Sequence, residues 1–173
     1  MGPTQGGTRT EVRPARPNDV TMLSKFFVEA WREAGPGAMG FSGATDEAIE
    51  EISSPEFLTR RLASPTTYIV VAQEEREIVG FASVRLLREG DSELSGIVVL
   101  ERARGRGVGT KLLRKAMDGA RKRRSLRILA KTEVENRRAS AFYKKAGFTE
   151  SGRAVEKVGR SRVAVLVLVK KLR

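Results

Sequence analysis

The 173-residue chain contains no cysteine and no histidine. Without thiols there is no disulfide, no cysteine nucleophile and no zinc–thiolate site; without imidazole, the histidine-based catalytic relays and most transition-metal sites are excluded as well, so no metal site is expected. Acid–base work falls to Asp, Glu, Tyr, Lys, Ser or water. Aromatic residues make up only 6% of the chain, too few to build the stacking platform that binds single-stranded nucleic acid. No apolar run approaches the roughly 20 residues of a membrane span. The opening Met1-Gly2-Pro3-Thr4-Gln5-Gly6 has neither a charged n-region nor an apolar h-region, and a myristoylation signal would carry Ser or Thr where Gly6 stands. These absences lead to the expectation of a cytoplasmic protein that does not engage a membrane.

What the chain has in excess is positive charge, a net +12 from 33 basic and 21 acidic residues. Such an imbalance makes an acidic partner worth weighing, and the basic surface serves an anionic cofactor, a nucleic acid or neither. Hydrophobic residues make up 40%, ordinary for a globular fold, and the length fits one domain that buries about two-thirds of its unfolded surface.

Periodicity divides the chain into alternating elements. Residues 1–9, polar and rich in Gly and Thr, read as a disordered tail before a domain over residues 10–173. A short first strand over residues 11–16 is expected at an edge, because Pro14 lacks a donor. Asn18 or Asp19 then caps a helix whose core face is Val20, Leu23, Phe26, Phe27, Ala30 and Trp31. Residues 35–44 break the pattern; with Met39 and Phe41 to bury, they suit either a substrate wall or a surface connection. Two short helices (46–52 and 56–63) precede a hairpin of strands 67–72 and 78–84, and another strand covers residues 93–100. A helix over 108–120, a strand over 126–134, a helix capped by Asn136 and a final antiparallel pair turning through Gly159 and Arg160 complete one α/β domain with a mixed sheet. The basic run Arg121-Lys122-Arg123-Arg124 is read first as a solvated helix end, where positive charge suits the dipole, and second as a nucleic-acid contact.

The densest signal is Arg104-Gly105-Arg106-Gly107-Val108-Gly109-Thr110, between an apolar strand and an amphipathic helix. Glycines let the backbone approach an anion, and the free N–H groups at a helix start supply donors in a favourable field. Arg104 and Arg106 are expected to add charge at the mouth. The order Gly109-Thr110-Lys111 is not that of a P-loop, and the spacing of Gly105, Gly107 and Gly109 fails the dinucleotide fingerprint.

What does fit is R-x-x-G-x-G, as Arg104, Gly107 and Gly109, followed about 27 residues later by N-x-x-A-x-x-x-Y-x-x-x-G-F, as Asn136, Ala139, Tyr143, Gly147 and Phe148. With the order of strands around them, the two motifs resemble the GNAT superfamily of N-acetyltransferases over nearly the whole chain. The resemblance implies a mostly antiparallel mixed sheet, a V-shaped splay between the fourth and fifth strands, and helices on both faces. It implies acetyl-CoA as co-substrate, with its pantetheine arm against the backbone of Ile97, Val98 and Val99. The pyrophosphate would rest on Arg104, Gly105, Arg106, Gly107, Val108, Gly109 and Thr110, and Asn136 would contact the pantetheine or phosphate end. An N–H near Val99 would polarise the thioester carbonyl.

Chemistry of this kind is direct attack of a primary amine on the thioester, which suits a chain without Cys or His. Tyr143 is the candidate acid for the departing thiolate: a phenol near ~10 against a thiol near ~8.5 costs roughly 2 kcal/mol. Glu93 is the first candidate for the base, with Glu33 and Glu135 behind it. The acceptor is a protein N-terminus, a lysine or a small-molecule amine, with Trp31, Met39, Phe41 and the hairpin from Arg153 to Arg162 as candidate pocket walls. A homodimer is compatible with the resemblance. The alternatives are a basic nucleic-acid or ribosome-associated module and a non-catalytic acyl-CoA-binding regulatory domain.

Overall fold

The computed structural model describes residues 7–35, 45–158 and 160–173. Met39 and Phe41, with most of the glycine-rich connection, lie outside the described residues, as do Gly159 and the first six residues of the expected tail. In chain order the elements are β1 (Thr10–Pro14), α1 (Val20–Ala34), α2 (Asp46–Ser53), α3 (Pro55–Ala63), β2 (Thr67–Glu74), β3 (Glu77–Leu86), β4 (Asp91–Val99), α4 (Val108–Lys122), β5 (Arg127–Glu133), α5 (Arg137–Lys145), β6 (Thr149–Val158) and β7 (Ser161–Lys171). They form one seven-stranded sheet in the order β1-β2-β3-β4-β5-β7-β6. Every neighbouring pair is antiparallel except β4 and β5, which run parallel. The expected α/β class, mixed sheet and helices on both faces are all present.

The β-branched run of β2 is buried on both sides, and alternation deals its side chains to two cores. Val70 and Ala72 join Leu112, Leu113 and Ala116 of α4. Ile69 and Val71 join Leu23, Phe26 and Phe27 of α1 and Leu58 of α3. On this second face Phe27 meets Phe81 of β3 edge-on, with ring centroids 4.9 Å apart. The apolar stripe expected for α1 is therefore core, with Leu23, Phe26, Phe27 and Ala30 all buried. On the first face α4 lies close enough to the sheet that a Cβ at Gly119 would stand 1.9 Å from Cε1 of Tyr68.

Most element ends shift by a residue or two from expectation, and two of the shifts have a visible cause. β1 is the edge strand, as Pro14 requires, but it ends at Pro14 rather than residue 16. The Arg16 amide donates to Asp19 Oδ2 at 2.7 Å, and Asp19 also takes both terminal nitrogens of Arg13 at 2.8 Å. Asp19 stands at the N-cap of α1, yet its side chain makes no cap hydrogen bond; it is spent on fastening β1 to the turn before the helix. β4 begins at Asp91, two residues early, because the Asp91 carboxylate takes Arg127 of β5 in a two-point contact at 2.9 and 2.7 Å.

Candidate active site

The site begins where two parallel strands part. β4 and β5 pair over only four residues, from Asp91 opposite Arg127 to Leu94 opposite Ala130. Beyond Leu94, β4 stays with β3 as far as Val99 opposite Gly80, while β5 stays with β7 as far as Glu133 opposite Val165. The register of β3 against β4 shifts between Ser83 and Val84, a bulge that leaves Ser95 as the extra residue on β4. Leu94 is buried and residues 96–99 are only partly so, as a cleft opening along the strand demands. Leu100 donates to Val79 of β3 at 2.9 Å, so strand alternation turns the N–H groups of Ile97 and Val99 the other way, into the gap. The V-shaped splay lies between the fourth and fifth strands, as the resemblance implied.

At the open end of the V stands the glycine turn. Gly105 and Gly107 have φ of +74° and +76°, with nothing within 4 Å of a Cβ at either, so the glycines serve backbone conformation rather than space. Gly107 is the N-cap of α4 and no side chain caps the helix. Its first N–H groups therefore face outward unclaimed, which is the chemistry of an anion site. A Cβ on Gly109 would meet Phe142 of α5 at 3.6 Å and Val99 of β4 at 3.8 Å, which sets these two side chains on either side of the cleft.

The two arginines of the turn do different jobs. Arg104 Nε donates to the Val99 carbonyl at 2.9 Å, which closes the end of β4 and leaves the rest of its guanidinium without a side-chain partner among the described residues. Arg106 instead turns back to Glu74 of β2 at 2.9 Å and to the Arg102 carbonyl at 3.2 Å. The expected pair of cations at the mouth is thus one cation, Arg104, with the Arg106 charge neutralised by Glu74. Burial would push the Glu74 carboxyl up, but hydrogen bonds from Thr10 and Arg106 outweigh it and hold it below its ordinary value. Arg102 joins Glu29 of α1 to Glu77 of β3, so ion pairs fix the turn to both neighbouring elements. Thr110 is exposed.

α5 forms the other wall. Asn136 is its N-cap, its side-chain oxygen accepting from Ala139 N at 3.1 Å; the oxygen is spent on the helix and the amide nitrogen remains for a ligand. Tyr143 is 6% exposed, its ring 5.4 Å from Phe142 and 5.5 Å from Phe148. Its hydroxyl has no hydrogen-bond partner among the described residues. The one fully buried, unpartnered side-chain polar atom among them is Arg121 Nε, so the Tyr143 oxygen keeps contact with open space. Burial pushes this phenol up to about 12.

Glu93 lies on the opposite face, just before the strands part. Its carboxylate takes Arg85 of β3 at 2.5 Å and Lys131 of β5 at 3.4 Å, and Lys131 continues to Glu156 of β6 at 2.7 Å. Beside this chain Arg61 of α3 donates to Ser83 of β3 at 2.9 Å, and Ser95 bonds the same hydroxyl at 3.1 Å. Arg61, Ser83, Ser95 and Lys131 escaped the sequence reading. No spacing announces them, because they meet only when α3 lies across the sheet at the bulge. Of the other base candidates, Glu33 accepts from the Glu101 amide at 2.9 Å, tying α1 to the segment before the glycine turn, and Glu135 is exposed. Trp31 donates to Asp46 at 2.9 Å.

The basic run after α4 is partly spent as well. Arg121 pairs with Asp118 at 2.6 Å, and Arg123 lies over the Tyr68 ring at 4.1 Å while bonding the Gly119 carbonyl at 3.2 Å. No helix among the described residues is long and apolar enough to cross a membrane.

Known proteins are similar to this chain in sequence and in fold. The chain is 30% identical over 121 residues to an uncharacterized N-acetyltransferase of Mycobacterium bovis, covering 70% of this chain and 77% of that one. It is 27% identical over 146 residues to the aminoglycoside N(6')-acetyltransferase type 1 of Klebsiella aerogenes, covering 80% and 89%. Its fold matches the PaiA N-acetyltransferase of Thermoplasma acidophilum, solved in complex with coenzyme A, with a TM-score of 0.70 at 20% identity, over 94% of this chain and 99% of that one. The profile of the acetyltransferase (GNAT) family matches residues 25–148. The sequence match and the shared fold agree, and the chain belongs to the GNAT family of acetyltransferases.

Proposed function

We propose that this chain transfers the acetyl group of acetyl-CoA directly to a primary amine. The observation that carries the reading is the continuity of the V between β4 and β5 with an uncapped, glycine-built helix start at its mouth. Acetyl-CoA supplies acetyl as a thioester: the amine nitrogen bonds the carbonyl carbon as the carbon–sulfur bond breaks, leaving an amide and the free thiol; of the two protons an ammonium acceptor gives up, one ends on the thiol and one is released to water.

The chain's own groups divide the remaining work. The amides of residues 106–110, the Thr110 hydroxyl and the free part of Arg104 hold the pyrophosphate, and the Asn136 amide nitrogen supports the same ligand. The backbone of Ile97, Val98 and Val99 lines the pantetheine arm, and the inward N–H groups polarise the carbonyl. Tyr143 donates its proton toward the departing sulfur. Glu93 accepts the ammonium proton through water, from the acceptor face of the sheet. The acceptor is a protein N-terminus, a lysine or a small-molecule amine; one relative is named for an aminoglycoside.

Isothermal titration with acetyl-CoA, followed by thiol release over a panel of amines, tests the proposal. Absence of binding at millimolar acetyl-CoA refutes it. Binding without release for any amine replaces it with an acyl-CoA-binding regulatory domain.

A further inference from the structure

The cation that the acetyl-CoA reading leaves unexplained is Arg61. Arg13 has Asp19, Lys131 has Glu93 and Glu156, and the half-buried Lys170 is held by the Ala146 carbonyl at 2.6 Å. Arg61 is half-buried and forms no ion pair with any carboxylate among the described residues. The residues outside that set, 1–6, 36–44 and 159, include no Asp or Glu, so no side chain there supplies one. Burial lowers its pKa from the ordinary guanidinium value, and the neighbouring Arg85 pushes the same way.

The guanidinium is held rather than wandering. Nη2 donates to Ser83 Oγ at 2.9 Å, on a serine that is only 1% exposed, and the Phe57 ring flanks the group at 5.8 Å. Ser83 is in turn bonded by Ser95 at the β4 bulge, which places Arg61 beside the point where the strands part, on the face that the acetyl-transfer reading gives to the acceptor. One of the five N–H donors of a guanidinium is accounted for by this contact. A partly desolvated, uncompensated cation is costly to keep, and a ligand anion would relieve the cost.

Resting on the acetyl-transfer reading above, we infer that Arg61 is the acceptor-side anion anchor, and that the amine acetylated here carries a carboxylate or phosphate which Arg61 binds. Arg85, paired with Glu93, adds positive potential at the same place. Acceptors whose only charges are positive would set cation against cation there.

The full-length enzyme, saturated with acetyl-CoA, tests this in matched pairs by thiol release: glycyl-glutamate against glycyl-glutamine, and O-phosphoethanolamine against ethanolamine, with spermidine as the purely cationic acceptor. Wild type is expected to favour the anionic member of at least one pair by tenfold or more in kcat/KM, and the winning pair tells carboxylate from phosphate. Arg61→Met should bring that ratio near one through KM, and Arg61→Lys should restore part of it. Equal use of both members, a preference that survives Arg61→Met, or spermidine as the best acceptor overturns the inference. If no amine in the panel reacts, thermal shifts of the CoA-saturated protein with acetate and with inorganic phosphate decide. Stabilisation that Arg61→Met abolishes upholds the anchor, and its absence or persistence refutes it. Calorimetry with acetyl-CoA reads the acetyl-transfer proposal separately, and Arg61→Gln replaces the Met variant should that fail to fold.

Discussion

Replacing Tyr143 by Phe removes one oxygen from a ring that keeps its contacts with Phe142 and Phe148. Because the hydroxyl has no partner among the described residues, folding near neutral pH should lose nothing, or gain a few tenths of a kcal/mol. Turnover should respond differently. With the phenol pushed up to about 12, complete proton transfer to a thiolate near ~8.5 is uphill by roughly 5 kcal/mol, more than twice the cost for an unperturbed tyrosine. In the proposed reaction Tyr143 would therefore act by sharing its proton with the sulfur as charge develops. A hydrogen bond to a charged acceptor contributes about 1.5–3 kcal/mol, so kcat should fall roughly 10- to 150-fold. Acetyl-CoA affinity should hold, since a thioester sulfur is a weak acceptor.

Thiol-release kinetics at saturating amine and calorimetry with acetyl-CoA separate these quantities. Alkaline unfolding gives a second readout. The folded pKa lies above the unfolded value near ~10, so the contribution is complete below pH 10 and is lost as pH climbs through about 12. That loss amounts to about 3 kcal/mol, and the Phe variant, lacking the group, should escape it. A kcat within twofold of wild type would refute the reasoning and leave Tyr143 a core aromatic.

The remaining tests concern the frame of the site. Gly107→Ala keeps open space around its Cβ but must adopt φ of +76°; it should cost about 1–2 kcal/mol by urea denaturation and weaken acetyl-CoA binding, whereas Gly109→Ala, with contacts no closer than 3.6 Å, should leave stability intact. Gly119→Ala drives a methyl into Tyr68 and displaces the ring under Arg123; a loss of about 2–3 kcal/mol is expected, and wild-type denaturation midpoints would contradict it. Asp19→Asn breaks the contact with Arg13 and should cost roughly 3–5 kcal/mol. Burial would push the Asp19 carboxyl up, yet Arg13 and the Arg16 amide hold it below its usual value. The pair's stability is therefore present above the unfolded pKa near ~3.9 and lost as pH falls through the lower folded value, so acid unfolding should be shallower in the variant.

Much of this architecture was legible from periodicity and punctuation. α1 and α4 announced themselves by apolar stripes and β2 by its β-branched run, while Gly147, at φ +90°, stands just past the end of α5, where a glycine suits the left-handed turn. The residues proposed for the cofactor could be picked out for a related reason. A phosphate cradle is built from consecutive backbone amides, so its requirements are local and fall on adjacent residues, from Arg104 to Thr110. Asn136 and Tyr143 likewise sit on one short helix at a fixed spacing.

What sequence could not assign was the partner of each charge. Arg104 and Arg106 are two positions apart and look equivalent, yet one closes the end of β4 and the other is taken by Glu74, thirty-two residues earlier in the chain. Glu93 reads as a lone carboxylate until β3 and β5 bring Arg85 and Lys131 to it. Arg61 reads as one more solvated helix charge until α3 carries it to the bulge.

The sequence by itself determined the elements, their order and the glycine turn at the start of α4, because backbone conformation and the 3.6- and 2-residue periods are properties of neighbouring residues. The tertiary structure alone decided which charges are neutralised and which are left without a carboxylate. Those contacts join residues far apart in the chain, and their energies depend on burial, which exists only once the sheet and its two helical layers have closed.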